Sequence, residues 1–309
     1  MTGIRLQPLT RARIASLGER GAEWSAALPG LLAQLAGDWG LDLGGSLPGG
    51  SNSYVVRATC ADGSPAVLKV VLDEPGLADQ VRVLETADGR GYARLLRVDL
   101  DRGALLMEAL GDPLQASGRP GTEQLAVLAD TLAIAWQRSP LTRVPGTDDK
   151  AVGLAVLIAD HWDRLGRPCP VAVRDQALRY AEQLADAPAD TLVVVHGDPH
   201  PGNALAVRRP RPGAETGYCF VDPDGFVADR AYDLGVSMRD FSAAVLREGR
   251  PLVESYAALL ADRTGVDPVR IWRWAFLERV STGLYVLGLG SEPVARPYLA
   301  SAEVLLDRD

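Results

Sequence analysis

Near residue 110 the apolar residues of this chain change their period. Between 41 and 110 the pattern is short runs broken by turns. LDLGGSLPGGSNSYVVRATCADGSPAVLKVVLD reads as strand, Gly-rich turn, strand, ADGS turn and strand. YARLLRVDLDRGALLMEAL reads as a further strand pair turning at 101–103, with 77–87 helical before it. A helical stripe of Trp24, Leu28, Leu31, Leu32, Leu35 and Trp39 precedes the strands, interrupted at its start by Pro29 and Gly30. Beyond 113 the stripes are helical: Leu125, Leu128, Leu132 and Trp136, then Leu154, Leu157, Ile158, Trp162 and Leu165, then Leu178, Ala181 and Leu184. Two short strands, TLVVV and GYCFVD, are set among them as a hairpin around the Pro/Arg/Gly-rich turn at 208–217. Asp267 followed by Pro268 predicts a capped helix start. Strands first and helices after exclude a doubly wound βαβ sheet. The prediction is an α+β chain of two lobes: residues 1–109 with a small antiparallel sheet, and 110–309 larger and mainly helical.

Composition narrows the partners. A formal charge of −8 disfavours nucleic acid and attracts a cationic ligand. No uninterrupted apolar run reaches membrane-spanning length, and the first twenty residues lack the apolar core of a secretory signal. Cys60, Cys169 and Cys219 stand far apart without CxxC spacing, which fits a reducing, cytoplasmic setting. Of 32 basic residues only Lys69 and Lys150 are lysines. Lys69 lies within an apolar strand, where a buried ammonium needs a matched partner.

The densest polar chemistry is VVVHGDPHPGN, 193–203. An apolar strand runs into Asp198, Gly197 permits the turn, and Pro199 and Pro201 stiffen the loop beyond it. Asn203 returns an amide oxygen five residues later. An Asp and an Asn so spaced suit a base that orients a hydroxyl beside a metal-ligand amide; a turn-rich connector capped by the same residues is the plainer reading. CFVDPDGF places Asp222 at a strand end and Asp224 two residues on, oxygen ligands fit for Mg2+ or the makings of an ordinary β-turn. Gly49, Gly50 and Ser51 form a Gly-rich turn whose amides suit phosphate oxygens, with Lys69 on the next strand to pair with phosphates. No Walker-type GxxxxGK[ST] is present.

Each signal is modest, but their order is specific: Gly-rich hairpin, strand lysine, ALLMEAL, His-x-Asp-x4-Asn, then Asp after a strand. In that order and in these motifs the chain resembles the aminoglycoside phosphotransferase family, which has the two-lobed protein-kinase-like fold. The likeness is greatest to its aminoglycoside/hydroxyurea resistance kinases, the branch that includes streptomycin 6-phosphotransferases. It spans nearly the whole sequence, with HGD where protein kinases carry HRD and DPD where they carry DFG.

The resemblance implies that Asp198 is the catalytic base, that Asn203 and Asp222 hold Mg2+, and that His196 and Asp233 support the catalytic loop. It implies that Lys69 contacts the nucleotide phosphates and that the segment of Met107, Glu108 and Leu110 forms the adenine hinge. ATP is the expected nucleotide, though the motifs do not separate it from GTP. The family's glutamate partner for the strand lysine aligns with Gln80, so Gln80, Asp79 or Glu85 must serve Lys69. Asp224, Asp229, Asp240 and Glu278 are candidate contacts for a cationic acceptor, as is Glu254, and each reads equally as a solvated helix charge. His200 either satisfies its own loop or neighbours metal or substrate. His161 reads as a helix residue, and Trp272 and Trp274 as packing. The expected activity is phosphorylation of an aminoglycoside hydroxyl, streptomycin-like, conferring resistance. Hydroxyurea or a biosynthetic intermediate is the alternative acceptor, and a catalytically idle kinase-like binding module is the reading from another class. A monomer or weak dimer without membrane or nucleic-acid partners is expected.

Overall fold

The computed structural model describes residues 4, 6–47, 52–72, 76–136 and 149–307. The chain divides into two compact units, Met1–Gly111 and Asp112–Asp309.

The first unit carries α1 (Pro8–Ser16), α2 (Glu19–Trp39), β1 (Asp42–Ser46), β2 (Ser53–Thr59), β3 (Pro65–Val71), α3 (Leu77–Ala87), β4 (Leu95–Asp99) and β5 (Ala104–Glu108). Its strands form one antiparallel sheet in the order β1-β2-β3-β5-β4. Alternation puts Tyr54, Val56 and Ala58 of β2 and Ala66, Leu68 and Val70 of β3 on one face. Leu28, Leu32 and Leu35 of α2 cover that face. The predicted interruption at Pro29 does not occur: α2 runs through it unbroken. Pro29 lies on the exposed side, and the leucines at 28, 32 and 35 anchor the helix through tertiary packing that outweighs the local penalty. The same alternation turns Lys69 to the opposite face, towards α3.

The second unit comprises α4 (Gly121–Ala135), α5 (Lys150–Arg164), α6 (Val171–Leu184), β6 (Leu192–Val194), β7 (Ala204–Ala206), β8 (Tyr218–Phe220), β9 (Val227–Asp229), α7 (Arg230–Ser237), α8 (Ser242–Glu248), α9 (Arg250–Thr264), α10 (Pro268–Gly288) and α11 (Glu292–Val304). Asp267 caps α10 by accepting the Val269 N–H at 2.9 Å, as its Asp-Pro start predicts. α10 is the axis of the unit and packs against α5, α6, α7, α9 and α11. It approaches α7 so closely at Gly235 that a Cβ there would lie 2.5 Å from Trp274 Cβ, a contact only glycine permits. Trp272 and Trp274 are both buried in this packing.

The expected hairpin of TLVVV with GYCFVD is corrected by the structure. β6 pairs with β9, and β8 pairs with β7, giving two separate two-stranded ladders. The turn at 208–217 does close a hairpin, but one between β7 and β8. β7 and β9 are three residues each, too short to carry a legible period. Among the described residues no helix is long and apolar enough to cross a membrane.

Candidate active site

The hairpin register builds the first half of the site. Ala204 of β7 stands opposite Phe220 of β8, and the Val221 N–H donates to the Asn203 carbonyl at 2.9 Å. Asn203 and Asp222, 19 positions apart in the chain, therefore emerge at one end of the same ladder. The Asn203 amide nitrogen donates to the Asp198 carbonyl at 3.0 Å, which leaves the amide oxygen as the atom offered outward. Asp222 takes a positive φ of 57°, which turns the chain sharply at the strand end.

His196 joins the pieces. It is fully buried, and its ring lies edge-on to Phe220 at 4.8 Å. Its Nε2–H donates to the Val221 carbonyl at 3.0 Å, while Nδ1 accepts the Asp198 N–H at 3.1 Å. The His196 carbonyl accepts the Asp224 N–H at 2.7 Å. Both ring nitrogens are thus committed in the neutral tautomer, and burial pushes the imidazole down to about 4. The folded value lies below the ordinary 6.5, so the unfolded chain binds the proton first. Stability contributed here is complete above about pH 6.5 and is lost as pH falls towards 4, by up to about 3 kcal/mol. Denaturant unfolding between pH 7 and 4 should give a shallower stability loss for His196→Gln than for the wild type. Parallel slopes would contradict this.

Asp233 of α7 holds the loop from behind. It is wholly buried, and its carboxylate accepts the His196 and Gly197 N–H groups at 2.9 Å each and the Trp136 indole N–H at 2.9 Å. Burial raises its carboxyl to about 6, against the pull of those donors. Gly197 has φ 94°, and a Cβ on it would sit 2.6 Å from the Asp224 side chain. Glycine is required there on both counts.

Asp198 is half-buried at the end of this braced loop. Its Oδ1 accepts from Arg239 Nη2 at 2.6 Å, and its Oδ2 lies 3.6 Å from His200 Nε2. Burial alone would raise this carboxyl, but the charges of Arg239 and His200 outweigh it and hold it below its ordinary range. His200 satisfies its own loop, its Nδ1 accepting the Gly202 N–H at 3.1 Å, and its ring lies between Asp198 and Asp240.

The candidate acceptor carboxylates separate. Asp240 lies 3.4 Å from His200 Nδ1, and buried Glu278 lies 3.9 Å from Arg239 Nη1. Asp224 is exposed beside Gly197. Asp224 flanks the residue before Asp198, and Asp240 and Glu278 meet the two side chains, His200 and Arg239, that approach it. Asp229 does neither: it is buried, caps α7 through the Ala231 N–H and pairs with Arg270 at 2.6 Å. Its carboxylate is committed to the fold. Glu254 pairs with Arg250 on the surface of α9. His161 interacts on its own helix with Arg164 and Asp160. Sequence reasoning passed over Arg239, one of 32 basic residues with no local mark of its position.

In the first unit, Lys69 is buried on β3 and its ammonium donates to Gln80 Oε1 on α3 at 3.1 Å. Asp79 pairs instead with Arg82, and Glu85 faces solvent. Gln80 is therefore the α3 residue that meets the lysine. Met107 is buried in the ladder between β3 and β4, and Glu108 ends β5 with its N–H on the Arg94 carbonyl. Leu110 is buried just beyond. Gly49, Gly50 and Ser51 lie outside the described residues.

The chain is similar to known proteins over most of its length. A streptomycin 6-kinase of Streptomyces glaucescens is 26% identical over 97% of this chain and 96% of its own length. A hydroxyurea phosphotransferase of Kitasatospora aureofaciens is 30% identical over 94% of this chain and 82% of its own. Among solved structures, a choline/ethanolamine kinase family protein from Mesorhizobium loti superposes with a TM-score of 0.57 at 18% identity, covering 89% of this chain and 93% of that one. The fold is the two-lobed protein-kinase-like α+β fold. Residues 38–288 match the family model described as aminoglycoside/hydroxyurea antibiotic resistance kinase, and the chain belongs to that family of phosphotransferases.

Proposed function

We propose that the protein transfers the γ-phosphoryl group of ATP to a hydroxyl of a small cationic acceptor, an aminoglycoside of the streptomycin type. The observation that carries this reading is Asp198: a half-buried carboxylate held ionised on a loop fixed at both ends, with the outward oxygen of Asn203 and the carboxylate of Asp222 at the neighbouring strand end. An ionised carboxylate at that point can accept the proton of an acceptor hydroxyl and orient its oxygen for in-line attack.

The donor set fits Mg2+. Asn203 Oδ1 and Asp222 are hard oxygen ligands, too few for a closed protein cage, as expected of an ion completed by phosphate and water. Among the described residues no group of three or more His, Cys, Asp or Glu side chains is placed to hold a metal by itself. When bound, the ion would neutralise phosphate charge. Lys69 would do the same from β3, oriented by Gln80, and the backbone of 107–110 would receive the base.

The acidic surroundings of this loop favour a cation: Asp224 lies beside Gly197, Asp240 beside His200 and Glu278 near Arg239. A second acceptor, hydroxyurea or a similarly small neutral hydroxyl compound, is favoured by the likeness to the hydroxyurea phosphotransferase. ADP release should be measured with Mg-ATP and streptomycin, other aminoglycosides or hydroxyurea in turn. Acceptor-dependent turnover with a KM that rises with salt supports the cationic acceptor, and a salt-independent KM supports the neutral one. Absence of turnover with every acceptor, together with intact nucleotide binding, would support the idle binding module instead.

A further inference from the structure

The proposed chemistry leaves unexplained why a buried arginine grips the base. Arg239 follows α7 and is only 15% exposed at its side chain. Each of its guanidinium nitrogens addresses a different carboxylate. Nη2 donates to Asp198 Oδ1 at 2.6 Å, Nε to Asp240 Oδ1 at 3.4 Å, and Nη1 lies 3.9 Å from Glu278 Oε2. A planar fork hydrogen-bonded at two corners, with a third carboxylate near the remaining nitrogen, has little freedom to rotate, and only arginine offers that geometry.

Its backbone is held as firmly. Arg279 of α10 is fully buried, and its Nη2 donates to the Met238 carbonyl at 2.9 Å and its Nη1 to the Arg239 carbonyl at 3.2 Å. Nη1 also reaches Ser242 Oγ at 2.7 Å and Ser301 Oγ at 2.9 Å. A cation at the C-terminal end of α7 satisfies carbonyls that the helix leaves open. The loop's other end is fixed by Asp233 of the same helix. α7 therefore holds the catalytic loop at its base through Asp233, and the turn that follows α7 holds its tip through Arg239.

The two carboxylate oxygens of Asp198 are consequently unequal. Oδ1 is tied to Arg239 at 2.6 Å, whereas among the described residues Oδ2 has the longer 3.6 Å approach of His200. We infer that Arg239 is a positioning residue for phosphoryl transfer: it ties Oδ1 of Asp198 so that Oδ2 is the oxygen presented to the acceptor hydroxyl. This rests on the reading of Asp198 as the base. In this role Arg239 acts through Asp198 rather than on the nucleotide or the acceptor. The attacking hydroxyl proton passes to Oδ2 as the acceptor oxygen bonds to the γ-phosphorus and the bond to the ADP oxygen breaks.

The test is Arg239→Lys, which keeps the charge but cannot address three carboxylates at once, with Arg239→Ala assayed with and without added guanidinium chloride. Streptomycin and hydroxyurea are the acceptors, and thermal melting verifies that each variant is folded. Misplacement of a reacting group by about 1 Å costs on the order of 100-fold. Arg239→Lys should therefore lose about 10- to 100-fold in kcat with the KM for Mg-ATP unchanged. Guanidinium at millimolar concentration should restore part of the kcat of Arg239→Ala and none of that of Asp198→Ala. Wild-type kcat in folded Arg239→Lys, a higher kcat in Arg239→Ala, or a change confined to the acceptor KM would each overturn the positioning role. If Arg239→Ala does not fold, the lysine variant decides alone. Wild-type activity in Asp198→Ala, or no turnover by the wild type with either acceptor, would instead overturn the functional reading beneath it.

Discussion

Replacing Asp198 by Ala is expected to lower kcat for acceptor phosphorylation by about three orders of magnitude, within the range a positioned general base contributes. The KM for Mg-ATP should change little. Asp198 is held through its backbone by His196 Nδ1 and by the Asn203 side chain, and both contacts use main-chain atoms that alanine retains. The loop should therefore keep its course, and the loss should be chemical. The substitution also frees Arg239 from its shortest partner, although Asp240 and Glu278 remain beside it. A modest fall in stability with nucleotide affinity intact is the expected signature. Steady-state kinetics combined with nucleotide titration checks it, and an Asp198→Ala variant within tenfold of wild-type kcat would remove Asp198 from the mechanism.

The second large effect concerns Asp233. Its carboxylate receives three buried N–H groups, two from the loop that leads to Asp198 and one from Trp136. Asp233→Ala leaves all three donors without an acceptor, and each unsatisfied buried donor costs roughly 1–3 kcal/mol. Some of that is relieved by water or local collapse, so a net loss of about 3–5 kcal/mol is expected, comparable to breaking a buried charged contact. At roughly 2–4 °C per kcal/mol for a domain of this size, the melting temperature should fall by about 10 °C. Activity should fall further than stability alone explains, because Gly197 loses the anchor that fixes its positive φ. Asp233→Asn should fare little better: it supplies one acceptor oxygen and aims an amide N–H at a donor. Melting curves and kcat below the transition measure the two effects separately. Wild-type stability in Asp233→Ala would show that Asp233 does not brace the loop.

Much of the site is legible in the residue order. Asp198, Asn203 and Asp222 stand out because turn chemistry and strand ends are local properties. Lys69 stands out because an ammonium within an apolar strand is conspicuous. The Lys69 partner is harder to read. Asp79 and Glu85 carry the charge a lysine would attract, but Asp79 pairs with Arg82 and Glu85 faces solvent on α3. Of these three α3 residues, Gln80 combines the right helix face with burial. Asp229 shows the opposite error: its composition suits a cation ligand, yet its capping position and Arg270 absorb it.

Local pattern suffices for the two-lobe order, the sheet-then-helix layout, and the loop that bears Asp198. These rest on period, turn residues and spacing, all of which act over a few residues. The pairing of β7 with β8 and of β6 with β9 needed the folded chain. Ladders of three residues are chosen by what they pack against, and they carry no pattern of their own. Folding also brings Arg239 onto Asp198 across 41 positions, with Arg279 behind it across 40 more. Charge contacts between remote segments depend on how helices dock, and an arginine in the sequence carries no sign of which carboxylate it will meet.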